Sequence, residues 1–169
     1  MTRRSPSEKH ADTGRSKVDM VDVDAEMLAF STLVDIQHSD AHLLGTDCAL
    51  DRPAEQWARA IMEDVPADVR ATLERAWQVI ALRLAPVGAA DTIAGWPIAH
   101  ACTEYVLLHA YSAFGFEGQL LVRCSESGVL LATFVQFHDP AARTIWDRAL
   151  PTHLRFVRSL LSANATASP

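Results

Sequence analysis

Imidazole is the side chain whose ordinary pKa, about 6.5, suits it to move protons near neutral pH, and the chain carries seven histidines and two tyrosines. His153 stands out by position: it interrupts an apolar helical stripe near the C-terminus, two residues after Pro151. His100, His109 and Tyr111 are spaced so that a turn at Thr103-Glu104 would put them on one face of a β-hairpin. His38 and His42 lie four apart with Asp40 between them, and on a helix both rings would share a face. Zinc sites use that spacing together with a third ligand and a positioned carboxylate. The HExxH glutamate is missing and no cysteine is close in sequence, so the pair is expected to be surface or loop histidines, and no metal is expected.

His153, His100 and His109 each have an ordinary structural explanation as well. Proline has no backbone N–H, so Pro151 leaves the carbonyl of Asp147 without its helical donor. His153 is expected first as a partner for that carbonyl, and only second as a catalytic base. His100 and His109 are expected to face solvent; a partly wet cavity is the other place where histidine and tyrosine combine an apolar body with a polar tip.

The broader pattern removes several function classes. There is no GxSxG, P-loop or GxGxxG sequence, so the motif-bearing hydrolases and nucleotide-cofactor enzymes have no support, and no cofactor is expected. The formal net charge of −6 argues against nucleic acid, whose phosphates call for a basic surface. No stretch approaches the roughly 18–20 apolar residues of a membrane span. The basic N-terminal residues are followed by no apolar run, so no secretory signal is expected. Cys48, Cys102 and Cys124 are odd in number and lack CxxC spacing, which fits a reduced, cytoplasmic chain better than a disulfide scaffold.

At 169 residues, 49% of them hydrophobic and 21% charged, the chain suits one domain with a substantial core. Residues 1–26 are polar and are expected to form a disordered tail; residues 27–163 form the expected α+β domain, followed by a disordered 164–169. Met27 to Leu44 reads either as a helix or as an extended lead-in ending in a strand near Ala41–Leu44. Asp51 is the expected N-cap of a helix running to about Met62 and burying Trp57 and Ile61, with Pro53 in its first turn. Asp64 is the expected cap of a second helix, with a stripe of Val69, Leu73, Ala76, Trp77, Ile80 and Leu84, ended by Pro86 and Gly88.

Beyond Trp96 the hydrophobic period becomes that of strands: Ile98–Cys102, Tyr105–Tyr111, Gln119–Cys124 and Val129–His138. Their short connections imply an antiparallel meander. With Cys124 opposite Val129, the core face carries Leu120, Val122, Cys124, Val129, Leu131, Thr133, Val135 and Phe137. A one-residue slip would bring Arg123 inside. In the first hairpin Ile98, His100, Cys102, Tyr105, Leu107, His109 and Tyr111 are expected to share a face. Residues 139–163 then read as a helix of about six turns at 3.6 residues per turn, with Trp146, Leu150 and Val157 on its apolar stripe.

Three segments carry a family resemblance: DRPAEQWARAIMEDVPADVRATLERAW, the GWPI start of the sheet, and FVQFHDPAARTIWDRALPTHLRFVRSLL. Together, over about Leu43 to Ala163, they resemble the START-like (SRPBCC, polyketide cyclase and lipid-transfer) superfamily, and within it domain-of-unknown-function family 2867. That family's FHN-x-x-GR-x-Y-x-x-x-x-x-P-x-H pattern corresponds here to Phe137, His138, Asp139, Trp146, Pro151 and His153, with Asp139 in place of the asparagine.

The resemblance implies a helix-grip fold, in which a curved antiparallel sheet wraps the long C-terminal helix and leaves a ligand cavity between them. Trp96, His100, Leu107, Trp146, Leu150 and Val157 are then the expected ligand-binding residues. The first functional reading is a carrier or sensor of a hydrophobic or aromatic small molecule. The second is a cyclase or dehydratase in which His153 is the general base, with Tyr111 or His109 assisting. The third is a protein-interaction module, a homodimer being one form of it. Fold membership alone does not choose among them.

Overall fold

The computed structural model describes residues 17–165. Its elements in chain order are β1 (Lys17–Val21), α1 (Ala25–Ala29), β2 (His38–Gly45), α2 (Ala54–Met62), α3 (Ala67–Val79), β3 (Leu82–Arg83), β4 (Thr92–Ile93), β5 (Trp96–Ala101), β6 (Tyr105–Ser112), β7 (Phe116–Ser125), β8 (Gly128–Phe137) and α4 (Pro140–Ala165). The architecture is α+β: an open antiparallel sheet with a long C-terminal helix and three other helices among the described residues.

The sheet runs β1-β2-β8-β7-β6-β5-β4, and β3 adds to β6. β5 to β8 form the expected meander, and Cys124 faces Val129 as the alternation requires. Gly128 makes that last turn possible. Its φ of 134° and a Cβ position only 2.0 Å from the Leu44 carbonyl oxygen leave no room for a side chain. One strand is out of the expected phase: a bulge between Ile98 and His100 pairs Ile98 with Leu108 but His100 with Leu107. Because an extra residue in one strand reverses which face its neighbours occupy, Ile98 joins the core under the helices while His100 stays on the other face.

Both faces of the sheet are covered. On the inner face Val106, Leu108, Leu120, Val122, Val129 and Leu131 pack with Trp57, Ile61, Leu73, Val157, Leu160 and Leu161 of the helices. α4 crosses β1, β2 and β8 and touches α2. Its first half closes one end of this layer, where Ala142 and Trp146 meet Phe116 and Val135.

The opposite face, expected to be the less buried one, is also a core. Leu107, Leu121, Leu130, Ala132 and Phe134 are covered by Val21, Val23, Met27, Phe30, Leu33 and Ile36. The covering segment is fastened by Gln119, which is fully buried. Gln119 Oε1 accepts from Ser31 Oγ (2.7 Å) and from the Thr32 backbone N–H (3.1 Å), and its Nε2 donates to Thr32 Oγ1 (2.6 Å). A buried amide keeps its place by having such partners.

Several boundaries differ from the sequence reading. The expected disordered tail to Glu26 is wrong from Lys17 onward: Lys17–Val21 is a strand paired with β2, and Asp24 caps α1 by accepting from the Met27 N–H at 2.8 Å. The part of that tail before Lys17, and the residues after Ala165, lie outside the described residues. Asn164 and Ala165, placed in the C-terminal tail, belong to α4.

The helix caps are Pro53 and Pro66 rather than Asp51 and Asp64, and neither start has a side-chain cap bond. At α2 the free Ala54 N–H instead finds the Thr103 carbonyl at 3.0 Å, a tertiary partner that replaces the local one. α3 ends at Val79 and not near Leu84. Ala81 takes a left-handed φ of 50°, and Leu82–Arg83 leaves to pair with β6.

Candidate functional site

Three inward-facing positions of β2 build the most distinctive chemistry in the molecule. Alternate residues of a strand point to one face, so His38, Asp40 and His42 all face the inner layer, opposite Val135, Thr133 and Leu131 of β8. Asp40 is 3% exposed and His42 likewise 3%. The expectation that His38 and His42 are surface or loop histidines, or share a helix face, is therefore corrected: the period is two, not 3.6, and the pair flanks a buried carboxylate.

Asp40 Oδ2 lies 2.9 Å from His38 Nε2 and 3.1 Å from His153 Nε2. Burial by itself would push the Asp40 carboxyl upward; the hydrogen bonds from His153 and His38, with their charges, outweigh it and hold the group well below the usual carboxylate range. An ionised carboxylate only accepts, so both Nε2 atoms donate to it. Thr133 Oγ1 sits 3.2 Å from the same His153 nitrogen. Trp146 packs against both imidazoles, with ring centroids 5.2 Å from His38 and 5.2 Å from His153. His42 stands behind the group, its Nδ1 3.8 Å from Asp40 Oδ1. Burial lowers the pKa of His42, and nearby His153 and Arg158 lower it further against the pull of Asp40.

These contacts decide the ambiguity at His153. The imidazole does not serve the Asp147 carbonyl next to Pro151; it reaches across to β2, 113 residues earlier. Among the described residues its Nδ1 has no hydrogen bond, and that atom is not among the polar atoms sealed from solvent.

His153 also borders two connected spaces. A small cavity of about 70 Å³ lies between α4, α3 and the sheet, lined in part by Trp96, Leu120, Leu131, Thr133 and Val157. An open groove of about 390 Å³ runs between α3 and α4, lined by Ala76, Val79, Ile145, Arg148, Ala149 and Thr152. Trp77, Ile80, Trp146, His153 and Phe156 line both. A wider, more polar hollow of about 410 Å³ lies by Arg59, Glu63, Arg70 and Asp91 at the far side of α3. There Glu55 and Glu63 already pair with Arg59, which leaves it less suited to an apolar ligand.

No protein-family model, curated protein or solved structure matches this chain.

Of the residues expected at a site, Trp96, Trp146, His153 and Val157 do meet at the cavity. Leu150 does not line it and packs instead against the cluster of Phe116, Val135, Ala142 and Trp146. The remaining expectations fail for one reason, the two-sidedness of a strand. His109 and Tyr111 pair with Gln119 and Glu117 on the face turned away from α4, so they cannot assist His153. Leu107 is in the outer core, and His100 is exposed and stacked on Tyr105 at 4.9 Å.

On that outer face His109 instead joins a second carboxylate. Its Nε2 is 2.7 Å from Glu117 Oε2, and His138 Nε2 is 2.8 Å from Glu117 Oε1. Tyr111 leans on His109 at 4.8 Å. The two imidazoles take opposite oxygens of Glu117, and no group of His, Cys, Asp and Glu among the described residues is arranged to hold a metal ion.

Asp40, Thr133, Ile80 and Phe156 are the site residues that sequence reasoning missed. A usable signal was present at one of them. His-Ser-Asp-Ala-His places three ionisable residues at a spacing of two, so a strand assignment for that stretch would have gathered them on one face.

Proposed function

We propose that this protein binds an apolar or aromatic small molecule along its C-terminal helix, in a START-like, helix-grip arrangement. What supports the fold part is the order of elements: β2 precedes two helices, a meander follows, and β8 returns beside β2 and leads into α4. What supports the binding part is the continuity of the two spaces beside α4. The cavity of about 70 Å³ is by itself too small for a metabolite, since ligand sites span roughly 300–1,000 Å³. The groove of about 390 Å³ falls in that range, and its floor is the cavity's own lining.

The ligand accordingly lies between α3 and α4, with one end directed at Trp146 and His153, rather than wholly beneath the helix. The walls are aromatic and aliphatic, which favours a flat or apolar body. The polar side chains at the inner end orient it, as few and well-placed polar groups do in such sites.

Intrinsic tryptophan fluorescence tests this directly, because Trp77 and Trp146 both line the path. Titration with a panel of flat aromatic compounds and fatty acids, supported by native mass spectrometry, should give saturable quenching for some aromatic members. Ala149→Trp should fill the groove and abolish it while circular dichroism stays unchanged. Saturable binding that survives Ala149→Trp, or no saturable ligand in the panel, would count against the reading.

A further inference from the structure

We propose that His153 is a general base, held in its reactive tautomer by Asp40, that removes a proton from a C–H next to a carbonyl in the bound molecule. The proposal rests on the binding reading above and adds a reaction to it.

The argument begins with which nitrogen carries the proton. His153 Nε2 is 3.1 Å from Asp40 Oδ2, and a lone pair at that nitrogen would face a negatively charged oxygen. The proton therefore sits on Nε2, and in the neutral ring the lone pair is on Nδ1. Nδ1 is the nitrogen without a hydrogen bond among the described residues. His38 donates to the same Asp40 oxygen at 2.9 Å, but it lines neither the cavity nor the groove. His153 lines both. The carboxylate thus orients two imidazoles, and one of them is presented to a ligand. This is the base-and-orienter logic of catalytic histidines, reached here from a strand and a helix far apart in sequence.

The surroundings narrow the substrate. Thr133 Oγ1 is engaged at 3.2 Å with the base itself, so among the described residues the cavity offers no separately activated nucleophile. The charged and titratable groups that face His153 are Asp40, His38 and His42 from β2; α3 contributes only Ala76, Trp77, Val79 and Ile80 to the groove. Arg148 lines the groove on α4, and Arg158 bears on His42. Such a site fits proton transfer within a largely apolar molecule. The C–H proton moves to Nδ1, the bonding pair delocalises onto the carbonyl oxygen, and the same proton returns to oxygen or to another carbon. The net change is a tautomerisation that needs no further reactant.

The test uses 5-nitrobenzisoxazole, a flat aromatic carbon acid that needs only a base. When a base takes its ring C–H proton, the C–H pair becomes the third bond of a nitrile, the N–O bond breaks, and a coloured phenolate is released. The wild-type protein should show saturable elimination, and His153→Gln should lower it by about 100-fold or more, in the range of general-base contributions. Asp40→Asn should lower it comparably while leaving the probe's quenching of tryptophan fluorescence intact. Long-range nitrogen–proton NMR should find His153 protonated at Nε2 in the wild type and at Nδ1 in Asp40→Asn, whose amide can donate to Nε2.

Saturable quenching without elimination above the solution rate would overturn the base and leave the binding reading standing. A wild-type His153 protonated at Nδ1 would overturn the base whether or not the probe binds. Absence of quenching by the whole aromatic panel would instead remove the binding reading on which the reaction depends.

Discussion

His153 Nε2 and Asp40 Oδ2 meet at 3.1 Å across 113 residues of chain. The pair joins β2, the first strand of the main sheet after the covering segment, to the middle of the last helix. It sits where β2 and β8 run side by side, with Thr133 of β8 opposite Asp40. One contact therefore ties the early and late parts of the chain together and sets the chemistry at the inner end of the groove.

Removing the carboxylate should be costly. Asp40→Ala leaves two half-buried imidazoles without their acceptor, and a donor left unsatisfied typically costs about 1–3 kcal/mol. The pH dependence follows from the depressed pKa of Asp40 in the folded chain. Such a group stabilises the fold above its unfolded value of about 3.9, and the contribution is lost as pH falls through that value towards the folded one. In urea unfolding the gap between wild type and Asp40→Ala should narrow below about pH 4. A gap independent of pH down to acid unfolding would contradict the assignment.

His42 acts in a different window. Its pKa is lowered, first by burial, so the unfolded chain takes up a proton before the folded chain does. The neutral ring's contribution is whole above the unfolded value of about 6.5 and declines as pH falls below it. His42→Leu should remove that decline, giving a flatter stability profile between about pH 6.5 and pH 5. If wild type and variant run parallel there, the folded and unfolded chains bind the proton equally and burial does not lower the pKa of this ring.

Trp146 is the packing element between the two histidines that bond Asp40, and it also meets Phe116 at 5.8 Å. Trp146→Ala should cost about 3–5 kcal/mol by opening a cavity. Trp146→Phe should cost distinctly less, because the indole N–H has no hydrogen-bond partner among the described residues to lose. Thermal or chemical unfolding of the two variants checks the order, which equal losses would contradict.

The three thiols should separate by reactivity. Burial pushes Cys124 up to about 11, against a small opposing effect of Arg52, whereas Cys102 is exposed and Cys48 half-buried. Since the thiolate is the nucleophile, iodoacetamide at mildly alkaline pH should modify Cys102 first and spare Cys124 until the protein unfolds. Peptide mapping over time would reveal the order. Early labelling of Cys124 would mean that β7 opens locally.

Much of the sheet was legible because strand sidedness is a local property. The alternation through Leu120, Val122 and Cys124 and back through Val129 and Leu131 allows one register that keeps Arg123 off the helix face, and that register is found. The hairpin before it misled because a single bulge after Ile98 reverses one strand's phase, and a bulge leaves no mark in the pattern of apolar residues. The cap at Asp51 misled for a similar reason: Ala54 finds its partner in Thr103, about fifty positions away, where local capping rules have no view.

The site divides along the same line. Composition and period by themselves determined an α+β chain with an antiparallel meander and a closing amphipathic helix, since these depend on neighbours within one turn or one pleat. They also marked His153 as a polar interruption of an apolar stripe. Only the tertiary structure decided what His153 touches. A hydrogen bond between β2 and α4 depends on which strand β8 accepts as its neighbour and on the rotation of α4 over the sheet. Both follow from the packing of the whole core, which no short stretch of sequence contains. The same packing placed His109 and Tyr111 on the far face with Glu117, and drew the half-read segment around Asp40 into the centre of the site.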